Sequence, residues 1–145
     1  MGDLIINIAT SQSDRQACFR LRHLVFVEEQ GVPVELELDE FDDTRAIHFL
    51  GKVDGEAVAA SRVVVFGDSA KIQRVVVHHS CRGRKFGKLL MLKMMDYVRT
   101  QNLAAEISLD AQTYAIAFYQ ALGFEPRGEE FDDAGIPHIH MVQPA

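Results

Sequence analysis

Residues 75–88 run from a β-branched strand, Val75-Val76-Val77, through His78-His79-Ser80-Cys81 and a basic turn, Arg82-Gly83-Arg84-Lys85, into Phe86-Gly87-Lys88 and an apolar helix. The first amides of a helix have no backbone partner, so they point into open space at such a turn. Those donors, the positive end of the helix dipole, and Arg82, Arg84, Lys85 and Lys88 together make a seat for a phosphate or pyrophosphate. Gly83 and Gly87 let the backbone approach the anion with no side chain between. The other reading of the turn is an ordinary strand-to-helix connection with surface cations.

The flanking sequence supplies elements able to hold that turn in place. Leu4 to Ala9 alternates apolar and polar residues as a first strand, and Ser11 or Ser13 caps a helix running past Leu21, Arg22 and Val25. Gly31-Val32-Pro33 stops that helix. Ile47 to Val53 and Glu56 to Phe66 are strands joined by Asp54-Gly55, a hairpin signal, and Lys71 to Val77 is the strand leading into the basic turn. The helix after the turn puts Leu90, Met94, Tyr97 and Val98 on one face. Ile107 and Leu109 mark a short strand, a helix bearing Phe118 and Tyr119 stops at Gly123, and two closing strands surround Asp132-Asp133-Ala134-Gly135. The order of elements fits a mixed α/β architecture, a largely antiparallel sheet flanked by helices.

A chain of 145 residues, 48% hydrophobic and 25% charged, reads as one globular domain spanning residues 1–145. No apolar run is long enough to span a bilayer, and the two cysteines, Cys18 and Cys81, have neither metal nor redox spacing. A cytoplasmic protein without a resident metal, and with no membrane partner, is the expectation. The net charge is −6, and eight acids with no Lys or Arg lie between Glu28 and Asp43. An acidic chain without a basic face is a poor nucleic-acid binder. The acidic stretch itself reads either as a solvated loop or as a flap whose field helps choose a substrate.

The basic turn resembles motif A of the GNAT superfamily of N-acetyltransferases, Arg/Gln-x-x-Gly-x-Gly/Ala, with Arg82 first and Gly87 last. Ala117-Phe118-Tyr119-Gln120-Ala121-Leu122-Gly123-Phe124 resembles the superfamily's second signature, Phe-Tyr-x-x-Leu-Gly-Phe. The chain departs from motif A at Lys85, where the first glycine is usual. The resemblance implies the GNAT acyl-CoA N-acyltransferase fold and acetyl-CoA as cosubstrate. It also implies direct attack by a primary amine of a small molecule in a ternary complex. The pantetheine would pair with backbone around Val75, Val76 and Val77, the pyrophosphate would sit on Arg82 to Lys88, Gln112 and Phe118 would border the cofactor, and Tyr119 would protonate the departing thiolate.

Gly135-Ile136-Pro137-His138-Ile139-His140-Met141 is similar to a Gly-x-Pro-His-x-x-Met ending of a narrower GNAT branch that includes glyphosate-type N-acetyltransferases. That similarity puts the general base on His138, and a histidine titrates near neutrality, as a base for an amine should. The same branch places acceptor-binding arginines at positions matching Arg22 and Arg74, with Gln112 standing where a third would be. Motif A here also looks like that of glucosamine-phosphate N-acetyltransferases. Arg22-x-x-Val25-Phe26-x-x-x-x-Gly31, with Glu37-x-Asp39-x-x-Asp42 and Arg62, resembles the opening of acyl-homoserine-lactone synthases. The alternatives are therefore another acyltransferase or a non-catalytic acyl-CoA-binding module. A homodimer is compatible with the sequence, which does not name the acceptor.

Overall fold

The computed structural model describes residues 2–145. Eight strands form one sheet in the order β1-β2-β3-β4-β5-β8-β6, with β7 paired to β8. They are β1 (Ile5–Ile8), β2 (Ile47–Val53), β3 (Glu56–Phe66), β4 (Ser69–Val77), β5 (Glu106–Gln112), β6 (Glu125–Pro126), β7 (Phe131–Asp133) and β8 (Ile136–Pro144). Every pairing is antiparallel except that of β4 with β5. The β2–β3 hairpin has the expected bounds, and Asp54 and Gly55 both take positive φ at its turn. The sheet with its flanking helices is the architecture anticipated from the order of elements.

Helices cover both faces. On one, α4 (Phe86–Thr100) buries Leu90, Met91, Met94, Met95 and Val98, a stripe at helical spacing, against Ile72, Ile107, Leu109 and Met141. On the other, α1 (Gln12–Arg22) buries Ala17, Cys18 and Leu21 against Leu50, Ala60 and Val76. Ser11 caps α1 by accepting from the Asp14 amide at 3.1 Å. Beyond Arg22 the helix does not run on as α. It widens into a π-helical turn, His23–Glu29, where the Gln30 amide bonds back to the Val25 carbonyl at 3.1 Å. The acidic stretch then forms two one-turn helices, α2 (Val34–Glu37) and α3 (Phe41–Thr44), where a loop was expected.

The sheet opens in the middle. β4 and β5 pair only from Ser69↔Glu106 to Ile72↔Leu109. One step later the β3–β4 register slips, because Arg74 and Val75 share the space opposite Ser61. Arg74 takes φ +58, the left-handed conformation that a bulge of this kind accommodates. A bulge bends its strand, so the end of β4 turns away from β5, which continues alone against β8 to Gln112↔His138. The last half of β4 therefore has an edge without a strand beside it.

Candidate active site

At the tip of that splayed strand the chain makes a 3₁₀ turn, His79–Cys81, before α4 begins at Phe86. No side chain caps α4, so the amides of Phe86, Gly87 and Lys88 remain the open donors that the sequence suggested. Lys85 sits just before them at φ +65, which explains why glycine suits this position in the motif the turn resembles. Arg82, Gly83, Arg84 and Lys85 are all exposed. Arg82 holds the turn down: its Nε donates to the Val77 carbonyl at 3.0 Å and its two terminal nitrogens grip Glu29 at 2.9 and 3.1 Å. The Arg84 guanidinium lies 5.2 Å from the centroid of Phe86. A Cβ built on Gly87 would meet Phe118 at 3.7 Å and Val77 at 3.9 Å, so the strand end, the helix start and Phe118 enclose one narrow crossing.

From there the gap between β4 and β5 leads into a cavity of about 200 Å³. It is lined by Lys71, Gln73, Arg74 and Val75 of β4, by Asp110 and Gln112 of β5, and by Tyr119 and His138. The π-helical turn supplies Phe26 and, just beyond it, Gln30, which accepts a hydrogen bond from the Gln112 amide at 3.0 Å. The β7–β8 hairpin overhangs the other side with Asp133, Ala134 and Ile136.

His138 is 8% exposed and stacks on Phe131 with centroids 5.9 Å apart. Its Nδ1 lies 2.7 Å from the Ile136 carbonyl, which can only accept, so Nδ1 carries the proton and the neutral ring keeps its lone pair on Nε2. Tyr119, on α5 (Ile116–Ala121), is half-buried between Phe118 and Phe124. Burial, with a small contribution from the nearby Tyr114 phenol, pushes its pKa up to about 12, so the hydroxyl stays protonated at any physiological pH. One cavity thus holds an imidazole able to accept a proton and a phenol able to give one.

Arg22 and Arg74, matched by resemblance to an acceptor pocket, part company. Arg22 is 1% exposed and lies outside the cavity. Its guanidinium is committed to Glu37 (Nε at 3.0 Å, Nη2 at 2.8 Å) and to Asp42 (Nη1 at 2.6 Å, Nη2 at 2.9 Å). A side chain so enclosed cannot reach an acceptor, and the expectation of substrate contact is corrected to a supporting role. Arg62 joins the same cluster through Asp39 and Asp42, and Arg74 binds Glu37 at 2.9 Å. Burial would raise the Asp42 pKa, but Arg22, the Asp39 amide and Arg62 hold it well below the usual carboxylate range. Part of the acidic stretch is therefore not a solvated flap: Glu37 and Asp42, both buried, and partly exposed Asp39 are counter-ions for three arginines. Arg74 alone of the three also borders the cavity.

Several cavity residues carried no sequence assignment. Lys71 binds Asp110 at 2.7 Å, and the other Asp110 oxygen accepts from His140 Nδ1 at 2.7 Å. The signal for them was polar side chains at alternate positions, Lys71 and Gln73 on β4 and Asp110 and Gln112 on β5, in strands otherwise rich in apolar residues. Phe26, Gln30 and Tyr114 left no such trace, because the π-helical turn and the loop before α5 set their direction.

The chain matches the family model of the acetyltransferase (GNAT) domain over residues 25–143, and it belongs to that family of acyl-CoA-dependent N-acetyltransferases. Among its relatives, protein ElaA of Escherichia coli is 36% identical over 139 residues, covering 92% of this chain and 89% of ElaA. The uncharacterized N-acetyltransferase YjcF of Bacillus subtilis is 36% identical over 138 residues, covering 94% and 96%. The ElaA crystal structure superimposes with a TM-score of 0.87 over 99% of both chains. An acyl-CoA N-acyltransferase from Pseudomonas aeruginosa, 28% identical, gives the same score over 97% and 98%. A CoA-dependent acyl-homoserine lactone synthase shares the fold at a TM-score of 0.83 and 18% identity.

Proposed function

We propose that this enzyme transfers the acetyl group of acetyl-CoA to the primary amine of a small molecule by direct attack in a ternary complex. The observation that carries the reading is that His138, Tyr119 and the splayed part of β4 border one cavity, on the strand that leads into the uncapped N-terminus of α4. The residues fit the cosubstrate. The amides of Phe86, Gly87 and Lys88, with Arg82, Gly83, Arg84 and Lys85 around them, would hold the pyrophosphate. The backbone of Val75, Val76 and Val77 would pair with the pantetheine, and Gln112 and Phe118 would flank it.

The chemistry then needs few groups. The thioester is already activated, so the acceptor nitrogen attacks the carbonyl carbon once it has lost a proton to His138 Nε2, directly or through a water. A backbone amide at the end of β4 would stabilise the oxyanion. As the C–S bond breaks, Tyr119 gives its proton to the thiolate, and the proton that the acylated nitrogen must still lose restores the phenol, leaving free CoA and a neutral N-acetylated product. Pro137 fixes the backbone just before the base.

Thiol release measured with acetyl-CoA and a panel of amines tests the reading. Turnover with at least one class of primary amine is expected. Tight acetyl-CoA binding with no thiol released by any amine would instead favour a binding module, and turnover only with longer acyl-CoA donors would favour another acyltransferase.

A further inference from the structure

The cavity is lined by three carboxylates, Glu37, Asp110 and Asp133, and two cations, Lys71 and Arg74. Both cations are already engaged. Lys71 lies 2.7 Å from Asp110, and Arg74 binds the carboxylate of buried Glu37 at 2.9 Å and reaches Asp39 at 3.4 Å. An acceptor carboxylate or phosphate would have to strip one of these cations from its partner. Stripping Arg74 from Glu37 would cost one of the two ion pairs that this buried carboxylate makes.

Asp133 differs from the other two acids. It is exposed at the tip of the overhanging hairpin and makes no ion pair among the described residues. It belongs to an acid-only run, Glu129, Glu130, Asp132 and Asp133, and exposed Glu35 stands on α2 beside the opposite wall. Among the polar lining residues, Phe26, Val32, Leu36 and Ile136 supply apolar surface. His138 also borders the cavity, more than nine-tenths buried, its Nε2 the ring nitrogen left for a ligand. The cavity thus brings together a histidine with a free ring nitrogen, a few aliphatic side chains and an exposed carboxylate without a cation.

Resting on the acetyltransferase reading above, we propose that the acceptor is a diamine or polyamine with an aliphatic spacer, and not an amine bearing a carboxylate or phosphate. The reacting amine gives up its proton at His138. The spacer lies along Leu36, Val32 and Ile136, and the second ammonium keeps its charge near Asp133. Oppositely charged rims raise the local concentration of a cation and speed its capture.

Three acceptors of matched length test this: diaminopentane, pentylamine and aminopentanoate, compared by initial rates of thiol release. Diaminopentane is expected to exceed pentylamine in kcat/KM by about tenfold, with aminopentanoate the poorest. Raising the salt from ~0.05 to ~0.5 M should shrink that advantage, since the exposed rim is screened. Asp133→Asn combined with Glu130→Gln should bring the diamine-to-monoamine ratio towards one. Equal rates for diamine and monoamine, or a preference for aminopentanoate, would overturn the assignment. If none of the three reacted while another class of amine did, this inference would fall and the acetyltransferase reading would stand. Silence with every amine would sink both.

Discussion

Arginine meets carboxylate at both ends of this site, with opposite results. At the α4 turn, Arg82 clasps Glu29 on the surface, beside exposed Lys85 and Lys88 and helix amides that no side chain caps. Beside the cavity, Arg22 and Arg62 are buried against Glu37, Asp39 and Asp42, and half-buried Arg74 joins them through Glu37. We propose that the first arrangement is a binding surface, whereas the second is scaffolding, although both read as arginines near acids in the sequence. Burial and the number of bonds already made distinguish them, not residue type. An exposed pair is worth little, while a buried pair is costly to break because the survivor keeps its charge without its partner.

The largest effect expected at the open end comes from Gly87→Glu. Acetyl-CoA at millimolar concentration should raise the melting temperature of the intact protein by mass action. The added carboxylate brings bulk towards Phe118 and a negative charge to the pyrophosphate seat, so the shift should vanish. A shift of unchanged size in this variant would mean that the cofactor does not cross at Gly87.

At the scaffolding end, Arg22→Ala should cost about 3–5 kcal/mol, the range for removing one partner of a buried ion pair. On a domain of this size that lowers the melting temperature by roughly 10 °C. The equivalent change in a partly exposed pair, Lys52→Ala opposite Asp14 at 3.1 Å, should cost no more than about 1 kcal/mol. The contrast extends to pH. Asp42 ionises more readily in the folded chain than in the unfolded one, so its contribution is complete above the ordinary Asp value of about 3.9 and is lost as the pH falls below it. Thermal melts from neutral pH towards about pH 3 should therefore show a steeper acid loss in the intact protein than in Arg22→Ala. Parallel curves would mean that the cluster is not what depresses Asp42.

A smaller effect is expected at Lys85. Its left-handed backbone costs a residue with a Cβ about 1–2 kcal/mol, so Lys85→Gly should leave the fold as stable or slightly more so by denaturant titration. The same variant sharpens the comparison through acetyl-CoA affinity. Weaker binding would show that the lysine's charge compensates its strain, and unchanged binding would leave the helix amides as the main anion donors.

The open end was legible in the sequence because its parts are contiguous. Strand, turn and helix start fall within residues 75–88, and the Phe118–Gly123 signature lies on one short helix, so spacing along the chain stands for spacing in the molecule. The antiparallel hairpin at Asp54-Gly55 and the apolar stripe of α4 were readable for the same reason. The buried cluster was not. Its pairs join residues far apart in sequence, Arg22 to Glu37, Arg62 to Asp39 and Arg74 to Glu37, and the acidic stretch that provides the counter-ions looks like any solvated loop when read alone. The π-helical turn and the Arg74 bulge were hidden as well, since each is a register change imposed by packing. Those two distortions aim Phe26 and Gln30 at the cavity and pull β4 away from β5.

The central claim is that His138 and Tyr119 act as base and acid on a substrate held in the one cavity. It is tested most directly by pH–rate profiles of His138→Ala and Tyr119→Phe, each with its acetyl-CoA melting shift measured alongside. His138→Ala should lower kcat by about 10²–10⁴-fold near neutrality and recover at high pH, where the acceptor amine is already neutral. Tyr119→Phe should lower kcat without that recovery, because it supplies a proton to the thiolate and removes none from the amine. Both should keep the melting shift, since neither side chain is asked to hold the phosphates. A His138→Ala enzyme with unaltered kcat from about pH 6 to 9 would contradict the account and move the base elsewhere in the cavity.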